Sequence, residues 1–217
     1  MKYEQLHPLL EQETRNFCDA MLEIENSRGV PAMRYYHNED PARTTNCGVA
    51  TGSIQESLLT YHNVATDRFL TEPTTEAMQI TSLNRRFSHV VLRHENLILD
   101  PTYGQLFERS GLDRHHPKTQ ATDYTTDLSL IVDLNNQDAT LEPLAEALDE
   151  ATHLEHAKES VFAPFRDIGK KAILASLRDL YNSENYTRFD VTPELVSYDR
   201  IQGIIQMTEH IRKNKPL

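Results

Sequence analysis

A chain of 217 residues with a formal net charge of -11 fits one domain, or one domain with a helical extension, and is long enough to bury a core without metal or disulfide support. Its acidity argues against binding nucleic acid or an anionic membrane through a broad basic surface, and a mean hydropathy of -0.58 is polar without being a disordered composition. Two cysteines, Cys18 and Cys47, in different settings match the usage of a reducing compartment and not of a disulfide scaffold.

The N-terminus, Met1-Lys2-Tyr3-Glu4-Gln5, carries an acid early and has no apolar run before a small-residue cleavage site, so no signal peptide is read. No stretch approaches the roughly 20 apolar residues of a membrane span. The expected location is the cytoplasm, or export without a cleavable signal as for a secreted effector. Residues 3 to 27 form an amphipathic helix on the spacing of Leu6, Leu9, Leu10, Phe17, Met21 and Ile24, with Gly29 and Pro31 as its stop. Cys18, beside Phe17, is expected to be a small buried hydrophobe.

Residues 32 to 45 are polar and irregular and lead into Asn46-Cys47-Gly48-Val49-Ala50, so they are read as one wall of a cleft. Val49, Ile54, Leu58 and Leu59 then continue as a helix whose first turn contains Cys47. Gly48, Ala50, Gly52 and Ser53 would let backbone or substrate come close. His62 at its far end reads as a helix C-terminal partner without chemical consequence. The period then changes. Phe87 to Arg93 is a strand, His94-Glu95-Asn96 a turn, Leu97 to Asp100 its hairpin partner, and Leu128 to Leu134 a third strand. The polar connection holding Asp113-Arg114-His115-His116-Pro117-Lys118 is a surface loop. Helical spacing returns over 141–161, 165–182 and 193–213. Helices, then antiparallel strands, then helices argue for an α+β fold. The whole, 1–217, is read as a single catalytic domain, with an N-terminal helix in 1–30, a catalytic core over 44–134 and a helical part over 141–214.

Cys47, His89 and Asp100 stand in the order and settings of a thiol acyl-transfer site. A thiol is a nucleophile only as thiolate, so it needs a cationic neighbour, and a helix N-terminus helps it. The imidazole needs a carboxylate to fix its tautomer and direction. A hairpin centred near residue 95 makes positions summing to about 190 face each other, and 89 plus 100 is 189, so His89 and Asp100 come within cross-strand reach. The Cys47 amide is one oxyanion donor, and Asn46 and Asn38 are candidates for a second.

Helix-opening Cys47, then His89-Val90-Val91-Leu92, then Leu99-Asp100-Pro101-Thr102-Tyr103-Gly104-Gln105 resemble the transglutaminase-like branch of the papain-like superfamily. That group includes transglutaminases, bacterial cysteine proteases and effector-type glutamine deamidases. The resemblance covers residues 44 to 107 and implies a cysteine-bearing helix packed on an antiparallel sheet, with additional C-terminal helices here. It also implies Cys47 as nucleophile, His89 as general base and acid, and Asp100 as orienting carboxylate. The chain has no tryptophan, although one commonly neighbours the cysteine in this group. It has neither a calcium loop of spaced acids nor the arginine- and glycine-rich cysteine motif of arylamine N-acetyltransferases.

The implied activity is hydrolysis or transfer at an amide of a protein or peptide, with glutamine deamidation ahead of proteolysis and transamidation. No cofactor and no metal are expected. His153-Leu154-Glu155-His156 and His115-His116 lack the spacing of the short zinc signature and read as solvated surface, as do Arg85-Arg86 and Lys170-Lys171. A second reading, from another class, is a non-catalytic interaction module that keeps an inherited triad and uses its helical C-terminal third to bind partners.

Overall fold

The computed structural model describes residues 2–28, 46–71, 89–103, 129–153, 169–189, 206–210 and 212–214. They form an α+β arrangement in chain order: α1 (Tyr3–Arg28), α2 (Asn46–His62), β1 (Asp67–Thr71), β2 (His89–His94), β3 (Leu97–Asp100), β4 (Leu130–Asp133), α3 (Asp138–His153) and α4 (Gly169–Leu180), then a 3-10 turn (Ser183–Asn185) and β5 (Tyr186–Arg188). The strands make one antiparallel sheet in the order β4-β3-β2-β1-β5. Residues 206–210 and 212–214 are helical. Among the described residues no helix is long and apolar enough to cross a membrane.

Side chains alternate across a strand, and this divides the core in two. Val91, Ile98 and Val132 pack with Leu141, Leu144, Ile173, Leu177 and Tyr181 on the α3/α4 side. Leu92, Leu97, Leu99 and Ile131 pack with Leu6, Leu10, Phe17, Ile54 and Leu58 on the α1/α2 side. β2, β3 and β4 therefore present apolar side chains on both faces, which explains the unbroken burial of His89 to Leu92 and of Leu97 to Asp100.

Two sequence expectations are corrected. The sheet has two strands that the pattern did not reveal, β1 and β5. Asp67-Arg68-Phe69-Leu70-Thr71 and Tyr186-Thr187-Arg188 are short and carry charge, and they become strands because Phe69, Leu70 and Thr71 pair with Arg188, Thr187 and Tyr186. Cys18 is half-buried at the margin of the α1/α2 cluster and not inside it. The wall expected from 32–45, the His115-His116 loop and the parts of the last helices beyond those given above lie outside the described residues.

The C-terminal ends of α2 and β2 are closed locally. Asn63, in the left-handed region at φ 55°, ends α2 with its N–H on Leu59 O at 3.1 Å and Val64 N–H on Leu58 O at 3.0 Å. Glu95, at φ 54°, turns the β2–β3 hairpin through two residues, Glu95 and Asn96.

Candidate active site

His89 is the first residue of β2, at the rim of the sheet, and Asp100 is the last of β3. The observed register pairs Leu92 with Leu99, Arg93 with Ile98 and His94 with Leu97. Extended outward, it sets Asp100 opposite Val91, so Asp100 is a diagonal neighbour of His89 and not its direct partner. The turn centre falls between Glu95 and Asn96, half a residue later than the sequence estimate. A diagonal neighbour on the same face is still within reach of a long side chain. His89 Nε2 meets Asp100 Oδ2 at 2.6 Å, with both side chains fully buried.

Asp100 is held from every side. Its Oδ1 accepts Thr102 N–H at 2.9 Å and the Thr102 hydroxyl at 3.2 Å. Its Oδ2 accepts, besides His89, the phenol of Tyr181 at 2.7 Å. The Thr102 contact is an Asx-type turn, for which Asp100-Pro101-Thr102 was a readable signal. Tyr181 lies 81 residues downstream and had no such signal.

Cys47 is fully buried in the first turn of α2, a helix that packs on the sheet. Its carbonyl accepts the Thr51 hydroxyl at 2.6 Å, and Gly48 O accepts the same hydroxyl at 3.3 Å. The Cys47 amide lies in the first turn of α2, where N–H groups point out of the helix end toward the place an oxyanion would occupy. Asn46 opens α2, but its side chain and the whole of Asn38 lie outside the described residues. Phe189 stands over this turn. A Cβ on Gly48 would lie 3.7 Å from its ring, which is ordinary contact, so Gly48 is not forced by a close approach.

Cys47 and His89 interact. Burial by itself pushes the imidazole down, but the charge and hydrogen bond of Asp100, and after them the nearby Cys47, outweigh it. Together they hold His89 well above its usual 6.5, at about 10, so the ring is imidazolium at neutral pH. Nε2 is taken by Asp100, which leaves the buried Nδ1 as the nitrogen to serve the thiol. A cationic imidazole beside a thiol at a helix N-terminus favours thiolate. Such a pair can attack a carbonyl and then return a proton to the departing group.

The other histidine of interest, His62, closes α2 and bonds Glu13 at 2.8 Å through Nε2, away from the Cys47 end of the helix. Arg212 also bonds the Glu13 carboxylate. Among the described residues no group of three His, Cys, Asp or Glu is arranged to hold a metal. His153 ends α3, and the rest of its cluster, like His115 and His116, lies outside those residues. No protein-family model, no curated protein and no solved structure matches the chain.

Proposed function

We propose that the protein is a thiol-dependent acyl-transfer enzyme of papain-like, transglutaminase-like type, acting on an amide of a protein or peptide. The observation that carries this reading is the buried line from Asp100 through His89 to Cys47, anchored by the 2.6 Å bond between the first two. The Cys47 thiolate attacks the amide carbonyl, forming the C–S bond and an oxyanion to which the Cys47 N–H donates a hydrogen bond. Collapse of the adduct breaks the C–N bond, and the His89 imidazolium gives its proton to the leaving nitrogen. A water then gives its proton to His89 as it attacks the thioester. The C–S bond then breaks, the acid product leaves and the thiolate–imidazolium pair is restored.

Glutamine deamidation is the preferred form of this reaction, in which the leaving nitrogen departs as ammonia. Proteolysis and transamidation use the same steps with a different leaving or accepting amine. The test compares wild-type protein with Cys47→Ala and Cys18→Ser on mixed protein substrates by peptide mass spectrometry. The reading predicts glutamine-to-glutamate conversion at unchanged chain length, lost in Cys47→Ala and kept in Cys18→Ser. Equal conversion by Cys47→Ala overturns it.

A second reading is favoured by one observation, the full burial of Cys47, His89 and Asp100 together. Polar groups shielded to this degree also serve to hold a fold in one arrangement, and the chain would then be a non-catalytic interaction module. Unaltered substrates in the wild-type reaction support that alternative.

A further inference from the structure

The carboxylate that orients His89 is shared with a residue outside the hairpin. A carboxylate offers about four acceptor positions, and those of Asp100 go to Thr102 N–H, the Thr102 hydroxyl, His89 and Tyr181. The last two converge on one oxygen, Oδ2. We propose that Tyr181 is a positioning residue for His89, fixing the rotation of Asp100 and restraining the basicity of Oδ2 through the phenol proton it donates there. The proposal rests on the acyl-transfer reading above and adds a fourth side chain to its machinery.

The placement of Tyr181 is built into the fold. The residue follows α4, and its N–H bonds Leu177 O at 2.9 Å. Leu180, immediately before it, has its carbonyl bonded by the Thr71 hydroxyl at 2.7 Å. Thr71 is the direct cross-strand partner of His89 in the β1–β2 ladder. The strand that neighbours His89 therefore also ties down the backbone that carries the phenol. A buried tyrosine needs some acceptor for its hydroxyl, and a backbone carbonyl would serve. Here the acceptor is the oxygen that holds the imidazole.

The consequence is chemical. An Oδ2 that also accepts the phenol has less electron density to offer the His89 Nε2–H, so that proton stays on the ring and the imidazole keeps its direction toward Cys47. The groups around this cluster are Cys47, Asp100, Tyr103 and Tyr186, with Arg93 acting on Tyr186. Burial first, and then the Asp100 charge, push the Tyr181 phenol well above its usual range. It therefore remains a donor wherever His89 is cationic.

The experiment reads the Nε2–H proton of His89 by NMR at neutral pH, assigned by its loss in Asp100→Asn. Bridging protons of short charged hydrogen bonds resonate far downfield. The proposal predicts that Tyr181→Phe moves this proton further downfield, because the carboxylate is no longer shared. Tyr181→3-fluorotyrosine, a stronger donor of nearly the same shape, should move it upfield. An unmoved resonance in both folded variants overturns the proposal, because a tyrosine that only fills space would leave it in place. The ultraviolet absorbance of the Cys47 thiolate, taken on the same wild-type sample, separates the two claims. Thiolate present at mildly acidic pH with an unmoved proton overturns the role of Tyr181 alone. No such thiolate with a shifted proton overturns the acyl-transfer reading and leaves the hold of Tyr181 on Asp100 intact.

Discussion

Thr71 stands directly opposite His89 in the sheet, and its hydroxyl bonds the carbonyl of Leu180, a member of the α3/α4 core. One small side chain thereby links the strand beside His89 to the end of a helix 109 residues further along the chain from Thr71. Thr71→Val keeps the shape but leaves the buried Leu180 carbonyl without this donor. The expected loss is about 1 kcal/mol of unfolding free energy, measured by urea denaturation. An unchanged midpoint would show that the link carries no stability.

The buried His89–Asp100 pair also sets an alkaline limit to stability. Burial lowers the imidazole, but Asp100 and then Cys47 raise it further than burial lowers it, from 6.5 to about 10. A folded value above the unfolded one gives stability that is fully present below pH 6.5 and is lost as pH rises through about 10. Asp100→Asn removes the principal raising cause. The stability gap between wild type and this variant should be widest at mildly acidic pH and should narrow steadily toward pH 10. A gap that stays constant or widens over this window, in denaturation at several pH values, would contradict the assignment.

The far end of α2 from Cys47 holds a second charged cluster. Glu13 of α1 is buried, and it receives His62 from α2 and Arg212 from the C-terminal helical residues. Arg212 also lies 3.4 Å above the centre of the Tyr61 ring. Arg212→Ala removes one partner of a buried carboxylate together with a cation–π contact, while His62 remains. A cost of roughly 1–3 kcal/mol is expected, read from the shift in thermal or urea midpoint. A variant as stable as wild type would mean that the C-terminal residues are not held by this contact.

How much of this was legible depended on how local each feature is. The β2–β3 hairpin and α2 were readable because their signals are contiguous: His89-Val90-Val91-Leu92, a two-residue turn, Leu97-Ile98-Leu99, and the spaced apolar residues after Cys47. The proximity of His89 and Asp100 followed from the hairpin alone, although the register was misplaced by enough to turn a facing pair into a diagonal one. Thr102 could have been read from the Asx-turn pattern. Tyr181, Thr71 and Phe189 could not, because each reaches the site through tertiary contacts that leave no periodic trace. The charge of Glu13 would place it on the surface, and its burial rests largely on partners 49 and 199 residues away. β1 and β5 were missed for a similar reason. Their composition is ordinary, and they are strands because of what lies beside them.

The claim most directly open to measurement is that Cys47 and His89 form a thiolate–imidazolium pair. Thiolate absorbs in the ultraviolet where a thiol does not, and the reading needs no access of a reagent to the buried sulfur. The difference in absorbance between wild type and Cys47→Ala, followed across pH, isolates this one thiol from Cys18. An unperturbed cysteine ionises near ~8.5 and is almost wholly thiol at about pH 6. The account predicts substantial thiolate at that pH in the wild type, abolished by His89→Ala. A titration that begins only in the ordinary cysteine range, and that His89→Ala leaves unchanged, would contradict it.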